Sequence, residues 1–252
     1  MIFITGDTHG DWMSRLCMEA FPEQKKLTKN DYVIIAGDFG YWHDTKSERY
    51  NLDWLNSRSF TTLFVSGNHE NYDRLKQLPV EEWNGGKIQK IRSSIYYLMR
   101  GQIFEIDNHK FFTFGGASSH DIKDGVLDPD DVLFEEKRKI LNYSPFSQYR
   151  INHVSWWKEE LPSEEEMKEG IDNLKKHNNK VDFIITHSPC TSLLAQMDRG
   201  YNLYKPDYLT DYLQDIKQTV DYKRWIFGHM HINQVFESEQ SICIFEQIIR
   251  LA

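Results

Sequence analysis

The amino-acid sequence predicts an α/β fold, because short buried strands alternate with helical segments along much of the chain. Five apolar runs have the length and composition of buried strands: residues 2–5, 32–36, 61–65, 181–186 and 225–227. A chain of 252 residues can form one large α/β domain or two small ones. We predict a single domain over residues 1–252, because polar residues of one kind recur at strand ends throughout the chain.

Helices are predicted between these strands. Asp11 is a suitable N-cap for the first helix. Trp12, Leu16 and Ala20 then recur at helical spacing. Residues 163–166 read Ser-Glu-Glu-Glu, a capping box that opens a later helix. The other helical segments lie at residues 46–56, 71–78 and 208–216.

The middle of the chain changes character. Apolar runs at residues 95–98, 103–106 and 110–114 are separated by short turns. Gly101 and the pair Asp107-Asn108 fit the turns of antiparallel hairpins, so we predict a meander here. We interpret the meander as the second half of the same domain, and the last strands are predicted within residues 232–236 and 241–249.

Three segments after the meander have open roles. Residues 115–121 resemble a phosphate-binding loop in composition, and a tight turn that borders a pocket is the alternative. Residues 122–152 are charged, and we interpret them as an excursion that could cover a site. Trp156 and Trp157 are adjacent and cannot both face the core of one helix or strand, so one of them lines a cleft or anchors the excursion by packing.

Composition and charge narrow the functional classes. The net charge of −8 argues against general affinity for nucleic acid or anionic membranes, which favour basic patches. No apolar run approaches the ~20 residues of a membrane helix, and the first strand begins too early for a signal peptide. Cys17, Cys190 and Cys243 lack paired spacing and lie among apolar neighbours, which predicts reduced core thiols and a cytoplasmic location.

Side chains that can bind metal ions follow five of the predicted strands. The design is clearest at residues 66–70, Ser-Gly-Asn-His-Glu, where a buried run stops and glycine turns the backbone. Asp7 and His9 lie two residues apart after the first strand, so in extended backbone they would point the same way. A lone Asp-X-His is weak evidence, because a turn with a surface histidine also explains it. Five such stretches together predict the rim of one two-metal site.

The five stretches are Gly-Asp-Thr-His-Gly at 6–10, Gly-Asp-Phe-Gly at 37–40, Gly-Asn-His-Glu at 67–70, Thr-His at 186–187 and Gly-His-Met-His at 228–231. In this order they resemble the motifs of the calcineurin-like metallophosphoesterase superfamily, and they span essentially the whole chain. The resemblance implies a four-layer α/β/β/α sandwich of two mixed sheets, with the site at the strand ends.

The resemblance also implies a ligand set for two divalent metal ions. Matched by position, the ligands are Asp7, His9 and His231 for the first ion, Asn68, His187 and His229 for the second, and Asp38 as a bridge. Imidazole, carboxylate and amide ligands together suit Mn²⁺, with Fe or Zn²⁺ as alternatives, better than Mg²⁺ or Ca²⁺. The set contains no cysteine, which argues against a structural zinc site.

Such a site predicts a hydrolase of phosphate mono- or diesters. Two metal ions about 3.5–4 Å apart make a bridging hydroxide available near neutral pH and hold phosphoryl oxygens for in-line attack. Their charge outweighs that of the two carboxylates, so an acidic protein can still bind a phosphate anion. His69 follows the ligand Asn68 but lies outside the ligand set, which makes it the predicted general acid for the departing alkoxide. Asn68 and Arg150 are candidate substrate contacts.

The second stretch departs from the protein-phosphatase branch of the superfamily, whose motif continues with an acidic residue and an arginine. Residues 41–42 are Tyr-Trp here, so the carboxylate that would orient His69 is missing at that position, and Glu70 or Asp44 are candidates for its role. We therefore predict a metallophosphoesterase that acts on an unassigned small-molecule or nucleotide substrate, with the oligomeric state undetermined. One alternative is a nuclease or nucleotide phosphodiesterase, which would favour a basic track and stacking aromatics. The other is a non-catalytic metal-binding scaffold of the same fold.

Overall fold

The computed structural model describes residues 1–198, 200 and 204–252, and it has the α/β character that the sequence predicts. In chain order the strands are β1 (Ile2–Thr5), β2 (Tyr32–Ile35), β3 (Thr61–Phe64), β4 (Val80–Trp83), β5 (Gly86–Arg92), β6 (Ile95–Leu98), β7 (Gln102–Ile106), β8 (His109–Phe114), β9 (Val126–Leu127), β10 (Arg150–Ile151), β11 (Phe183–Thr186), β12 (Arg224–Phe227), β13 (Gln234–Phe236), β14 (Ser241–Cys243) and β15 (Ile249–Arg250). The α-helices are α1 (Trp12–Arg15), α2 (Lys46–Asn56), α3 (Tyr72–Lys76), α4 (Phe134–Asn142), α5 (Glu164–Lys176), α6 (Thr191–Asp198) and α7 (Tyr208–Thr219). Short 3₁₀ helices lie at Pro22–Lys26, Lys158–Glu160 and Glu237–Glu239.

Each of the two large sheets has a parallel centre and antiparallel edges. The first has the order β15-β1-β2-β3-β6-β5-β4, in which β1, β2, β3 and β6 are parallel. The second has the order β13-β14-β12-β11-β8-β7, in which β14, β12, β11 and β8 are parallel. Because parallel strands share a direction, the carboxyl ends of β1, β2 and β3 meet at one edge of the first sheet. Those of β11 and β12 meet at one edge of the second.

Alternating side chains on the central strands bury both faces of each sheet, as parallel sheets require. On β1, Ile4 lies in the core between the two sheets, and Phe3 packs on the opposite face against α1, α2 and α3. On β11, Ile185 lies in the same central core, and Ile184 packs against α5, α6 and α7. Two sheets therefore lie face to face with helices outside both of them, and the predicted four-layer α/β/β/α sandwich is confirmed.

The predicted helix starts are confirmed, although the first helix is shorter than expected. Asp11 caps α1 by accepting a hydrogen bond from the backbone N–H of Ser14 at 3.3 Å. That helix ends at Arg15, and Ala20 is exposed. The capping box of α5 forms in full, because Ser163 Oγ accepts from the N–H of Glu166 and Glu166 Oε2 accepts from the N–H of Ser163.

The predicted meander is only partly right. Asp107 and Asn108 do turn an antiparallel hairpin between β7 and β8. Gly101 does not turn a hairpin, because it carries the chain from β6 in the first sheet to β7 in the second. A Cβ at Gly101 would lie 2.8 Å from the Cα of Gly170, so this crossing passes directly against α5. The antiparallel strands β4 and β5, which extend the first sheet at its edge, were missed.

Residues 122–152 contain the two-stranded parallel ladder of β9 with β10 and the exposed helix α4. Near its end Arg150 forms an ion pair with Asp121, the residue that directly precedes the segment, so its two ends lie close together. Trp157 anchors it, since the indole is 1% exposed and its Nε1 donates to Asp73 at 2.6 Å. Trp157 thus has the packing role that the sequence left as one alternative. That the segment covers the site stays a prediction.

Cys17, Cys190 and Cys243 are free thiols, as predicted, and the last two are buried. Among the described residues, no helix combines the length and the apolar character that crossing a membrane requires.

Candidate metal centre

The predicted ligands converge where the carboxyl ends of the two sheets meet. Each follows a central parallel strand: Asp7 follows β1, Asp38 follows β2, Asn68 follows β3, His187 follows β11, and His229 and His231 follow β12. Molecules and ions that bind to α/β sheets commonly lie outside the carboxyl ends of the strands, because loops there can approach one another while the sheet stays rigid.

Four of these residues form a first cluster, with one possible ligand atom from each of Asp7, His9, Asp38 and His231 within 4.8 Å of the others. His231 Nε2 lies 3.1 Å from Asp7 Oδ2 and 3.1 Å from His9 Nε2. His9 Nε2 lies 3.8 Å from Asp38 Oδ2. Carboxylate oxygens and imidazole nitrogens thus face one small volume, as they do around a bound cation.

Asp38, His187 and His229 form a second cluster of the same kind. His187 Nδ1 lies 2.8 Å from the backbone oxygen of Ala36, so this nitrogen carries the proton and Nε2 faces Asp38. Nε2 lies 3.3 Å from Asp38 Oδ1. Asp38 belongs to both clusters, and one of its oxygens approaches each of them.

Two buried atoms of the predicted ligand set are available to a cation. Within the described residues, Asn68 Oδ1 and His187 Nε2 have no hydrogen-bond partner, although Asp38 Oδ1 lies near the second of them. A buried polar atom without a partner costs about 1–3 kcal/mol, which native structures rarely tolerate without a reason. Both atoms are metal-ligand types, and both belong to residues predicted to hold the second ion.

The electrostatics of the protein groups also select a cation. Burial alone would lower the pKa of His187, but Asp38 and Asp7 raise it to about 10. Burial alone would raise the pKa of Asp38, but the neighbouring His187 brings it well below its usual range. Burial, together with His187 and His120, lowers the pKa of His229, which favours the neutral imidazole that a metal ligand requires. A divalent cation between these residues would take the place of the His187 proton.

The glycines of the motifs make room for ligands from other motifs. A Cβ at Gly37 would lie 2.1 Å from His187 Nδ1, and one at Gly67 would lie 2.0 Å from Asp38 Oδ1. A Cβ at Gly228 would lie 2.3 Å from Asp7 Oδ1. Any side chain at these positions would therefore displace a ligand, which explains why glycine precedes the polar residues.

Four predicted ligands have a left-handed backbone conformation: His9, Asp38, His229 and His231, with φ of 46°, 44°, 65° and 50°. Residues other than glycine adopt this conformation at a cost and cluster at functional sites. The extended-backbone argument for Asp7 and His9 was therefore wrong. A sharp turn at His9 brings the two side chains to one cluster.

Glu70 does not orient His69, as one sequence-based suggestion had it. Its carboxylate accepts from the backbone N–H groups of Phe39 at 2.6 Å, Gly40 at 3.2 Å and Gly67 at 2.7 Å. It thereby ties the loop after β2 to the loop after β3. Burial, and next the charge of Asp38, raise the pKa of Glu70 to about 8. Asp44, the other candidate, is exposed and pairs with Arg49 and Arg74.

His69 is positioned instead by Arg150. The backbone N–H of His69 donates to Asp38 Oδ1 at 2.8 Å, and its Nε2 lies 3.1 Å from Arg150 Nη2. Arginine only donates hydrogen bonds, so Nε2 is the acceptor. Burial, and next the charge of Arg150 against the opposing effect of Asp38, lower the pKa of His69 to about 4. Asp121 holds Arg150 in place through contacts of 2.7 and 2.9 Å.

Residues 115–121 border the cleft and contact three site groups in succession. Ser119 Oγ accepts from Asn68 Nδ2 at 3.4 Å, and His120 Nε2 lies 2.7 Å from His229 Nε2. Asp121 then pairs with Arg150. The composition of residues 115–121 marks this loop but indicates no role for Ser119, His120 or Asp121. Their partners are distant in sequence, so no local pattern could have identified them.

The carboxylate of Glu160 holds Ser119 in place through two hydrogen bonds. The 2% exposed carboxylate accepts from the Ser119 N–H at 2.8 Å and from Ser119 Oγ at 2.6 Å. Because the hydroxyl proton goes to Glu160, Ser119 Oγ can accept from the amide nitrogen of Asn68, which determines where Asn68 Oδ1 points. Burial raises the pKa of Glu160 to about 7 despite these bonds.

The predicted substrate contacts and part of each metal-ligand cluster border one cleft of about 340 Å³. Its walls include Asp38, Asn68, His69, Arg150 and His229. Arg150 is its one lysine or arginine among the described residues, and Asp121 neutralises it.

Three comparisons with known proteins were made. The family model for calcineurin-like phosphoesterases matches residues 1–233. No curated protein gives a significant match. Among solved structures, the phosphopantetheinyl hydrolase PptH from Mycobacterium tuberculosis is similar over 97% of this chain and 87% of its own, with 16% identity and a TM-score of 0.48.

We expect Gly67→Ala to weaken Mn²⁺ binding by roughly 10–100-fold, the range for a disturbed ligand support. The added methyl would occupy space within 2.0 Å of Asp38 Oδ1, so Asp38 must move. Isothermal titration calorimetry measures the affinity, and circular dichroism checks that the variant is folded. Gly125→Ala is the control for backbone strain away from the site, because φ there is 95° but a Cβ meets nothing within 4 Å. Equal Mn²⁺ affinities for Gly67→Ala and the unmodified protein would contradict the conclusion that Gly67 leaves the space that Asp38 needs.

We expect Ser119→Ala to weaken Mn²⁺ binding by roughly tenfold, because Asn68 would lose the partner that orients it. Ser119→Thr keeps the hydroxyl and should restore most of the affinity. Ser118→Ala is the matched control, since the adjacent hydroxyl contacts Asp207 instead of a predicted ligand. Titration calorimetry compares the three variants, and no difference between Ser119→Ala and Ser118→Ala would refute the orienting role.

Proposed function

Because the chain belongs to the calcineurin-like phosphoesterase family, we propose that it hydrolyses phosphate mono- or diesters at a site for two divalent metal ions. The observation that carries the proposal is the position of Asp38, which belongs to both clusters of metal-binding side chains. A carboxylate shared in this way can bridge two cations, whereas a single-metal site has no use for the second cluster.

The proposed ligands are Asp7, His9 and His231 for one ion, Asn68, His187 and His229 for the other, and Asp38 between them. We infer Mn²⁺ as the metal, with Fe or Zn²⁺ as alternatives, from the mixture of imidazole, carboxylate and amide. When bound, such a pair of ions supplies a hydroxide nucleophile near neutral pH and offsets the charge of the phosphoryl group.

His69 is the proposed general acid. Its ring borders the cleft beside Asp38 and Asn68 but outside the ligand clusters, so no ligand role competes with proton transfer to the leaving oxygen once the ring is protonated. Arg150 is the proposed phosphate contact. A phosphate anion beside Arg150 would offset the positive charge that now disfavours protonated His69. Substrate binding would thereby raise the pKa of His69 and favour its protonated form.

The lining of the cleft favours a small substrate over a polynucleotide. A nuclease needs a track of positive charge along the strand, and among the described residues the one arginine that lines the cleft is paired with Asp121. We therefore infer a small-molecule or nucleotide phosphoester as the substrate, and a cytoplasmic location remains the prediction from the cysteines.

We expect chelator-treated protein to be inactive and Mn²⁺ to restore hydrolysis of p-nitrophenyl phosphate or its bis-ester, followed by absorbance. Asp38→Asn should lower the restored rate by about 100-fold or more, because the loss affects both ions. Asp172→Asn, on an exposed position of α5, is the control and should behave like the unmodified protein. Protein that binds Mn²⁺ but hydrolyses neither ester, nor any member of a wider phosphoester panel, would instead be a scaffold.

We expect His69→Ala to lower kcat by roughly 10²–10⁴-fold when chemistry limits the rate. The loss should be larger for an alkyl phosphate than for p-nitrophenyl phosphate, because nitrophenolate leaves without a proton. His177→Ala, at the C-cap of α5, is the control. Metal content measured in each variant separates lost chemistry from lost metal. A decrease of less than about tenfold for the alkyl ester would count against the acid role.

A further inference from the structure

A second cavity adjoins the metal-binding cleft on the other side of His69. It has a volume of about 420 Å³ and lies between the loop after β2 and the start of α2. His9 and His69 line it together with Trp42, His43, Ser47 and Asn51. His69 also lines the metal-binding cleft, so the proposed acid stands between the two cavities. We call the second cavity the Trp42 pocket.

The Trp42 pocket has no free charge for a phosphate. Its one carboxylate, Glu48, accepts from the backbone N–H groups of Trp42, His43 and Asp44 through Oε2 at 3.2, 2.6 and 3.2 Å. The other oxygen of Glu48 pairs with Arg74 at 2.5 Å. No lysine or arginine is among the described residues that line the pocket. A neutral group suits such walls better than an anion.

The indole of Trp42 forms a fixed flat wall. Trp157 packs against it edge-on with ring centroids 5.3 Å apart, and His43 packs at the same distance. The Trp42 ring lies 5.7 Å from the ring of His69 at an angle of 30°. Its backbone is held as well, because Trp42 O accepts from Asn71 Nδ2 at 3.0 Å. A held aromatic ring beside the reacting groups is suited to stack on a flat partner.

Two polar side chains of α2 complete the wall. Ser47 and Asn51 are four residues apart and therefore lie on one face of the helix. Within the described part of the chain, neither side chain has a hydrogen-bond partner. A free carboxamide offers a donor and an acceptor side by side, which matches the edge of a nucleobase.

We propose that the Trp42 pocket binds the leaving group of the substrate, and that this group is a nucleoside. The proposal rests on the proposed phosphoesterase function. A general acid must contact the ester oxygen, so with the phosphate in the metal-binding cleft the leaving group continues past His69. The cavity on that side is neutral, aromatic on one wall and supplied with a free carboxamide. The structure thus points to nucleoside phosphates as the substrate class.

The test compares kcat/KM for adenosine 5′-monophosphate with kcat/KM for methyl phosphate, using Mn²⁺-loaded protein. We expect the nucleotide to be preferred by at least about tenfold, because base–aromatic stacking supplies binding that methyl phosphate lacks. Trp42→Ala should lower kcat/KM for the nucleotide by roughly 5–100-fold, mainly by raising KM. The ratio of kcat/KM for the nucleotide to kcat/KM for methyl phosphate should therefore fall. Asn51→Ala should lower this ratio less, and the size of its effect should differ among nucleotides with different bases.

Trp54→Ala is the control, because Trp54 lies on the same helix but does not line the pocket. It should leave the ratio unchanged. Asn51→Ala removes a side chain without internal partners, so it keeps the test valid if Trp42→Ala fails to fold.

The outcomes separate this inference from the function on which it rests. Turnover of methyl phosphate with equal ratios in the unmodified protein, Trp42→Ala and Asn51→Ala would overturn the pocket assignment alone. No turnover of either ester would overturn the function. In that case quenching of tryptophan fluorescence by adenosine, lost in Trp42→Ala, would still support nucleoside binding, and no quenching would overturn it.

Discussion

The close approach of Asp38 to Gly67 is the constraint on which the candidate site depends. Asp38 Oδ1 would lie 2.0 Å from a Cβ at Gly67, and the same oxygen accepts from the N–H of His69 and lies 3.3 Å from His187. One carboxylate thus connects the loops after β2 and β3 in the first sheet with the end of β11 in the second. The geometry of the clusters therefore depends on the relative position of the two sheets.

Four buried carboxylates around the site divide into two kinds. Asp7 and Asp38 accept from backbone N–H groups and also lie in the two clusters with imidazoles. Glu70 and Glu160 accept from backbone N–H groups or a hydroxyl but belong to neither cluster, and burial raises the pKa of both. The first kind suits a cation, whereas the second kind holds loops in place. Burial alone would not have distinguished them.

His69 lines both cavities of the candidate site. Arg150 and several candidate ligands line the metal-binding cleft, and the candidate ligand His9 lines the Trp42 pocket. A phosphoester bound across this boundary would place its charged end among cations and its neutral end against an indole. The fixed position of His69, set by its backbone bond to Asp38 and its contact with Arg150, makes that division possible.

The sequence by itself determined the α/β class from local signals, and the resemblance of its motifs to a known family implied the layered fold and the residues that form the two clusters. A buried run that ends in glycine and a polar residue indicates a strand end wherever it occurs, and parallel strands bring such ends together. The tertiary structure alone decided that Gly101 crosses between sheets and that Arg150, not Glu70, contacts the His69 ring. His69 and Arg150 are 81 residues apart, and His120 and His229 are 109 apart. Contacts at such separations arise from how packed layers position their loops, and no spacing along the chain encodes them.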